Sequence, residues 1–136
     1  MKLLSVSAKL WWKTVFLNAL FFGTWAALTG DIFDMLGSVI VLVAGYITTV
    51  PLIIIIAPLL NISTMLPYSI PARIAWLTFH LIIVVVLFYM FFSVIEKGAL
   101  FVPDSYAVQL MRTTIAGLLI AVFTTRRSIT KLYSEI

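Results

Sequence analysis

Apolar residues fall in four long runs along this chain, parted by short segments that hold most of the charges and prolines. The second run is the most telling. From Met35 to Leu60, MLGSVIVLVAGYITTVPLIIIIAPLL, no charged residue occurs over 26 positions. At about 1.5 Å of rise per residue, a helix of that length crosses a ~30 Å hydrocarbon layer with room to tilt. Soluble domains rarely contain such a run. The pattern therefore predicts an all-α membrane protein, a four-transmembrane-helix bundle with spans at about 14–29, 35–60, 74–95 and 105–125 in a single integral membrane domain covering residues 1–136. The fourth span has to include Arg112, because Thr113 to Thr125 is only 13 residues and too short to cross.

Residues 1–13 carry Lys2, Lys9 and Lys13 among apolar neighbours that include Trp11 and Trp12. They read either as a short interfacial helix with the tryptophans at headgroup depth or as a frayed basic leader. A basic leader before a short apolar run is also the pattern of a signal peptide, here read as a retained anchor.

Small residues recur at spacings that bring helices together. Ala19, Gly23 and Ala27 stand four apart in the first span, Gly37 and Gly45 share a face of the second with Thr49 beyond them, and Thr113, Gly117, Ala121 and Thr125 repeat the ridge in the fourth. Pro51 predicts a kink near Ile47, because it frees a carbonyl one turn back, and Pro58 is expected to kink or end the inner turn. Asn61 to Arg73, with Pro67 and Pro71, reads as a loop. The third span is the most aromatic and has few small residues, so a broad face is expected to meet lipid or a partner.

Composition agrees: 63% of the 136 residues are hydrophobic and 10% charged, against about 45–50% and 25% in soluble domains. The net charge of +4 invites a nucleic-acid partner, but the basic residues flank the spans and form no basic face, so none is expected. With four spans, Lys2, Lys9, Lys13, Arg73, Arg126, Arg127 and Lys131 lie on one side, and Lys97 alone on the other with Asp31, Asp34, Glu96 and Asp104. Seven to one predicts that both termini are cytoplasmic, with a bacterial inner membrane as the expected location. That orientation rules out glycosylation at Asn61-Ile62-Ser63. The chain has no cysteine, one histidine and no paired metal-ligand motif, so thiol chemistry is excluded and neither a metal nor another cofactor is expected.

Four polar residues are out of place in the spans: Arg112, Gln109, His80 and Asn18. Arg112 lies about seven residues below the outer end of its helix, roughly 10 Å deep. It reads either as a snorkelling side chain tied to outer carboxylates or lipid phosphate, or as an interior charge for an anion or a subunit. Tyr89 and Ser93 are its expected neighbours in depth, and Gln109 shares its side. His80 is expected to meet Asn18 or a carbonyl freed by Pro51; a proton relay and haem ligation are weaker readings. The spans hold no carboxylate, which argues against a proton-coupled antiporter. In size and span count the chain is similar to small multidrug transporters, but it lacks their membrane glutamate.

No nucleophile–base pair or phosphate loop is present, so no enzyme activity is expected. The pattern favours a small polytopic protein acting through helix packing, as a non-catalytic subunit of a membrane complex or a self-assembling membrane effector or immunity protein. The lipid bilayer and a membrane protein partner or further copies of the chain are its expected partners. The alternative is a small oligomeric channel or carrier that favours anions through Arg112.

Overall fold

The computed structural model describes residues 2–30, 36–37, 39–40, 43, 45, 47, 52–100, 102–103 and 105–135. Among them the fold is all-helical. Helix α1 covers Lys2–Thr29, α2 Leu52–Met65, α3 Ile70–Lys97 and α4 Tyr106–Ser134, and the described residues between 36 and 47 are helical as well.

The helices form a ring in which α1 packs on α4 and α2, and α3 packs on α4 and α2. The longest seam joins α1 to α4, and it is antiparallel. Lys2 meets Glu135 at 2.8 Å, Lys13 Nζ donates to Thr124 Oγ1 at 3.1 Å, and Thr113 Oγ1 donates to Asn18 Oδ1 at 2.5 Å. Both termini therefore stand at one end of the bundle. There the Lys2 ammonium holds the Glu135 carboxyl below its usual range. At the same end Leu10, Leu60, Leu77 and Ile129, one from each helix, are wholly buried.

Local chemistry sets the helix ends. Gly98 takes φ 68°, a left-handed conformation that costs glycine little, and its N–H closes onto Val94 O at 2.8 Å to end α3. Ser105 caps α4, its hydroxyl accepting from the Val108 N–H at 3.3 Å. Ser69 precedes α3 in extended backbone, with a proline in the first turn, where no N–H is missed.

The helices outrun the apolar stretches that announce them. Residues 2–13 are neither an interfacial helix nor a frayed leader: they continue α1, with Val6, Ser7 and Leu10 buried. The basic tail is the last turns of α4, whose Ile129, Leu132 and Tyr133 close the same core. Pro58 does not end α2, which runs on to Met65, and the expected loop from Asn61 to Arg73 shrinks to residues 66–69. Hydropathy marks where a helix would lie in hydrocarbon, whereas the helix itself continues as long as one face has something to pack against.

The small-residue ridges divide. In α4, Gly117, Ala121 and Thr125 are buried as expected. In α1 the buried face is Val15, Asn18, Ala19, Phe22 and Ala26, while Gly23 is half-buried and Ala27 exposed. The Ala19–Gly23–Ala27 ridge thus gives way to a face set by larger side chains. Gly37 has no atom within 4 Å of where a Cβ would sit, and at Gly45 a Cβ would meet Val15 Cγ1 at an ordinary 3.4 Å. Thr49, Pro51 and the expected kink lie outside the described residues.

Candidate functional site

One group of interior polar residues, Asn18, Tyr89, Thr113 and Thr114, gathers where α1, α3 and α4 meet. Gly117 makes the meeting possible. A Cβ there would stand 3.1 Å from Thr14 O and Asn18 N and 3.2 Å from Leu17 Cβ, so only glycine lets the α1 and α4 backbones approach this closely. One turn along α4, Thr113 then reaches Asn18, whose side chain is buried.

The hydroxyl hydrogens can be followed through the cluster. Thr113 gives its hydrogen to Asn18 Oδ1. Thr114 gives its own to Leu110 O at 2.6 Å, so in the 3.0 Å contact with Tyr89 the tyrosine donates and Thr114 accepts. Each hydroxyl hydrogen is used inside the protein. The cluster pins three helices together.

Beside the cluster lies an interior cavity of about 240 Å³. Asn18, Tyr89 and Thr114 lie on its wall; most of the remaining lining is apolar, including Leu10, Ile56, Leu81 and Leu118. Those four are buried, whereas Phe92, Glu96 and Tyr106, at the end away from the termini, are exposed. The lining is thus buried toward the termini and exposed at the opposite end.

The other expected site residues stand elsewhere. His80 does not meet Asn18. Its Nδ1 lies 2.8 Å from Trp76 O in its own helix, and because a carbonyl only accepts, Nδ1 carries the hydrogen. The imidazole stacks on Trp76 at 3.8 Å between centroids and meets Phe79 edge-on, so aromatic neighbours of its own helix claim it. Arg112 is exposed and off the cavity wall, while Gln109 is half-buried. The residues expected at its depth are engaged otherwise: Tyr89 with Thr114, and Ser93 with Ala99 O at 2.9 Å. Asp31, Asp34 and Asp104 lie outside the described residues. Among the described residues no three His, Cys, Asp or Glu side chains converge to hold a metal ion.

A second polar group, at the end that bears the termini, escapes a reading based on hydropathy. Ser63 is fully buried and donates to Leu60 O at 2.6 Å, so Tyr133 donates in the 2.7 Å contact between the two hydroxyls. Arg73 spans the short connection, with Nε on Tyr68 O and Nη1 on Thr64 O, both at 2.9 Å, and its guanidinium lies 5.9 Å above the Tyr133 ring. In the sequence Ser63 is part of a discarded glycosylation pattern and Arg73 is one basic flank among several. The polar residues clustered between the second and third runs are the signal that could have marked a buried joint.

No family model, curated protein or solved structure matches the chain.

Proposed function

We propose that this chain is a multi-pass membrane protein that acts through helix packing, as a non-catalytic subunit of a membrane complex or as a self-assembling bundle. The observation that carries this reading is where the apolar surface lies. Helices α3 and α4 are long and apolar enough to cross a membrane, and only 11% of the most apolar 18-residue window of α3 is buried. A core helix of a soluble protein with that composition is mostly buried. Here Phe79, Ile83, Leu87, Phe91 and Ile95, four apart, form an exposed apolar stripe along α3, and Phe16, Leu20 and Leu28 of α1 and Phe123 of α4 are exposed as well. Water-soluble monomers rarely leave patches of more than a few hundred Å² of this kind uncovered.

In this reading four segments cross the bilayer. Residues 35–60 provide the second crossing, and α1 crosses with its lysines at one end. The seven basic residues mark the end with the termini as cytoplasmic, in a bacterial inner membrane. Helices of 28 and 29 residues are about 42 Å long, which leaves roughly 10 Å standing beyond a ~30 Å layer. The Ser63–Tyr133–Arg73 joint would lie in that projecting part. The α3 stripe is the surface offered to a membrane partner or to a second copy. Native mass determination after mild extraction tests this: a heteromer or homo-oligomer is expected, weakened by Leu87→Ser with Phe91→Ser, and a strictly monomeric wild type would contradict it.

The alternative is an anion path through Arg112. Because Arg112 is exposed and off the cavity wall, such a path could run only between copies. Flux of a small anion into liposomes, abolished by Arg112→Gln, is the expected sign; flux unchanged by that variant removes the reading.

A further inference from the structure

We infer that the interior cavity is a site for one acyl chain of a phospholipid, entering tail first from the end opposite the termini, with a zwitterionic head at its mouth. The inference rests on the membrane reading for its source of lipid.

Shape argues for a chain. The lining runs from Leu81 to Glu96 on α3, fifteen residues or about 22 Å of helical rise. The cavity's 240 Å³ lies along that length. An engineered cavity of about 150 Å³ holds benzene because its space is compact; here a larger volume is drawn out along the helices.

The lining argues for hydrocarbon. The floor is Leu10, Ile56, Leu81 and Leu118, all buried. Halfway along stand Asn18, Tyr89 and Thr114, but the hydroxyl hydrogens of Tyr89 and Thr114 are committed to Thr114 Oγ1 and Leu110 O, and Asn18 Oδ1 already accepts from Thr113. No hydroxyl donor is left for a ligand carbonyl, and an alkyl chain passing them leaves no protein hydrogen bond broken. His80 and Arg112 are off the wall, so among the described residues no full charge meets the chain below the mouth.

The mouth argues for the head. Glu96 lines it, with Lys97 Nζ 3.6 Å from the Glu96 carboxylate. A head that carries a phosphate and an ammonium finds a counter-charge for each. The exposed ring of Tyr106 stands at the same opening, an amphipathic side chain suited to headgroup depth.

The test is lipid retention by the full chain purified in mild detergent, read by native mass spectrometry and by identification of the released lipid. Wild type should carry one zwitterionic phospholipid per chain after washing in excess detergent. Val85→Trp and Ala107→Leu, which fill the cavity from α3 and α4, should lower occupancy about tenfold, since added bulk excludes the chain. Leu119→Trp, on an exposed surface of α4, should leave it unchanged. Equal retention by filled and control variants, a free fatty acid as the retained molecule, or no retained lipid would each overturn the inference. If both filled variants fail to fold, wild type decides: lipid that exchanges fully with detergent overturns the site, and lipid held one per chain supports it. Carbonate washing of the same membranes separates the two readings. A chain washed out overturns the membrane reading, whereas a chain that stays without bound lipid overturns the site alone.

Discussion

At the scale of single residues, the tightest constraint is Gly117. The atoms around its missing Cβ are mostly backbone, Thr14 O and Asn18 N at 3.1 Å, and cannot swing aside as a side-chain tip can. Gly117→Val should therefore push α1 from α4 and cost about 1–3 kcal/mol, as overpacked cores do, measured by reversible unfolding in mixed micelles. Wild-type stability in that variant would refute the close approach. Asn18→Leu removes the interhelical hydrogen bond from Thr113 and the contact with Tyr89, and should cost about 0.6–2 kcal/mol. Tyr133 carries a pH dependence. Burial raises its phenol above the ordinary value of 10.0, although the Ser63 bond and the Arg73 charge pull the other way. The folded chain thus holds this proton more tightly than the unfolded chain. Its contribution is complete below about pH 10 and is lost as pH rises through the raised value. Tyr133→Phe should flatten that part of the alkaline loss in a pH series of melting temperatures; an identical alkaline slope would contradict the assignment.

At the scale of elements, the joint between α2 and α3 is where polar contacts replace apolar area. Residues 66–69 connect two helices and are held by Arg73 on Thr64 O and Tyr68 O. Arg73→Ala should open this connection to protease about tenfold faster, a local cost near 1.4 kcal/mol, with little change in the rest of the bundle; unchanged cleavage would show the joint to be held otherwise. The elements themselves were legible to different degrees. A long apolar run does signal a helix, so α1, α3 and α4 were expected, whereas α2 coincides with the expected 35–60 span only from Leu52 to Leu60; the Gly117–Ala121–Thr125 ridge was readable because small side chains at fourfold spacing have few other uses. The ends were not readable from hydropathy, because residues 2–13 and 126–134 are amphipathic and fold against each other through Val6, Leu10, Ile129 and Leu132. The Asn18 contact expected of His80 is not made, because a sequence shows depth but not azimuth. Its ring lies with Trp76 and Phe79 on its own helix rather than toward Asn18.

At the scale of the whole molecule, the described part of the bundle is polar at the end that bears its termini and apolar around its waist. That arrangement makes sense with a bilayer around the waist. The absence of cysteine from the sequence makes the topology directly measurable, since any thiol introduced is the only one present. Ser5→Cys and Ser134→Cys would mark the end with the termini, and Leu100→Cys the opposite end; all three sites are exposed. The measurement to make is labelling of the three variants by a membrane-impermeant maleimide in intact cells, then again in inverted vesicles. A bundle crossing the membrane with both termini cytoplasmic predicts that Leu100→Cys alone is labelled from outside, and that Ser5→Cys and Ser134→Cys are labelled only after inversion. Labelling of residues 5 and 100 from the same side, or of residues 5 and 134 from opposite sides, would contradict it.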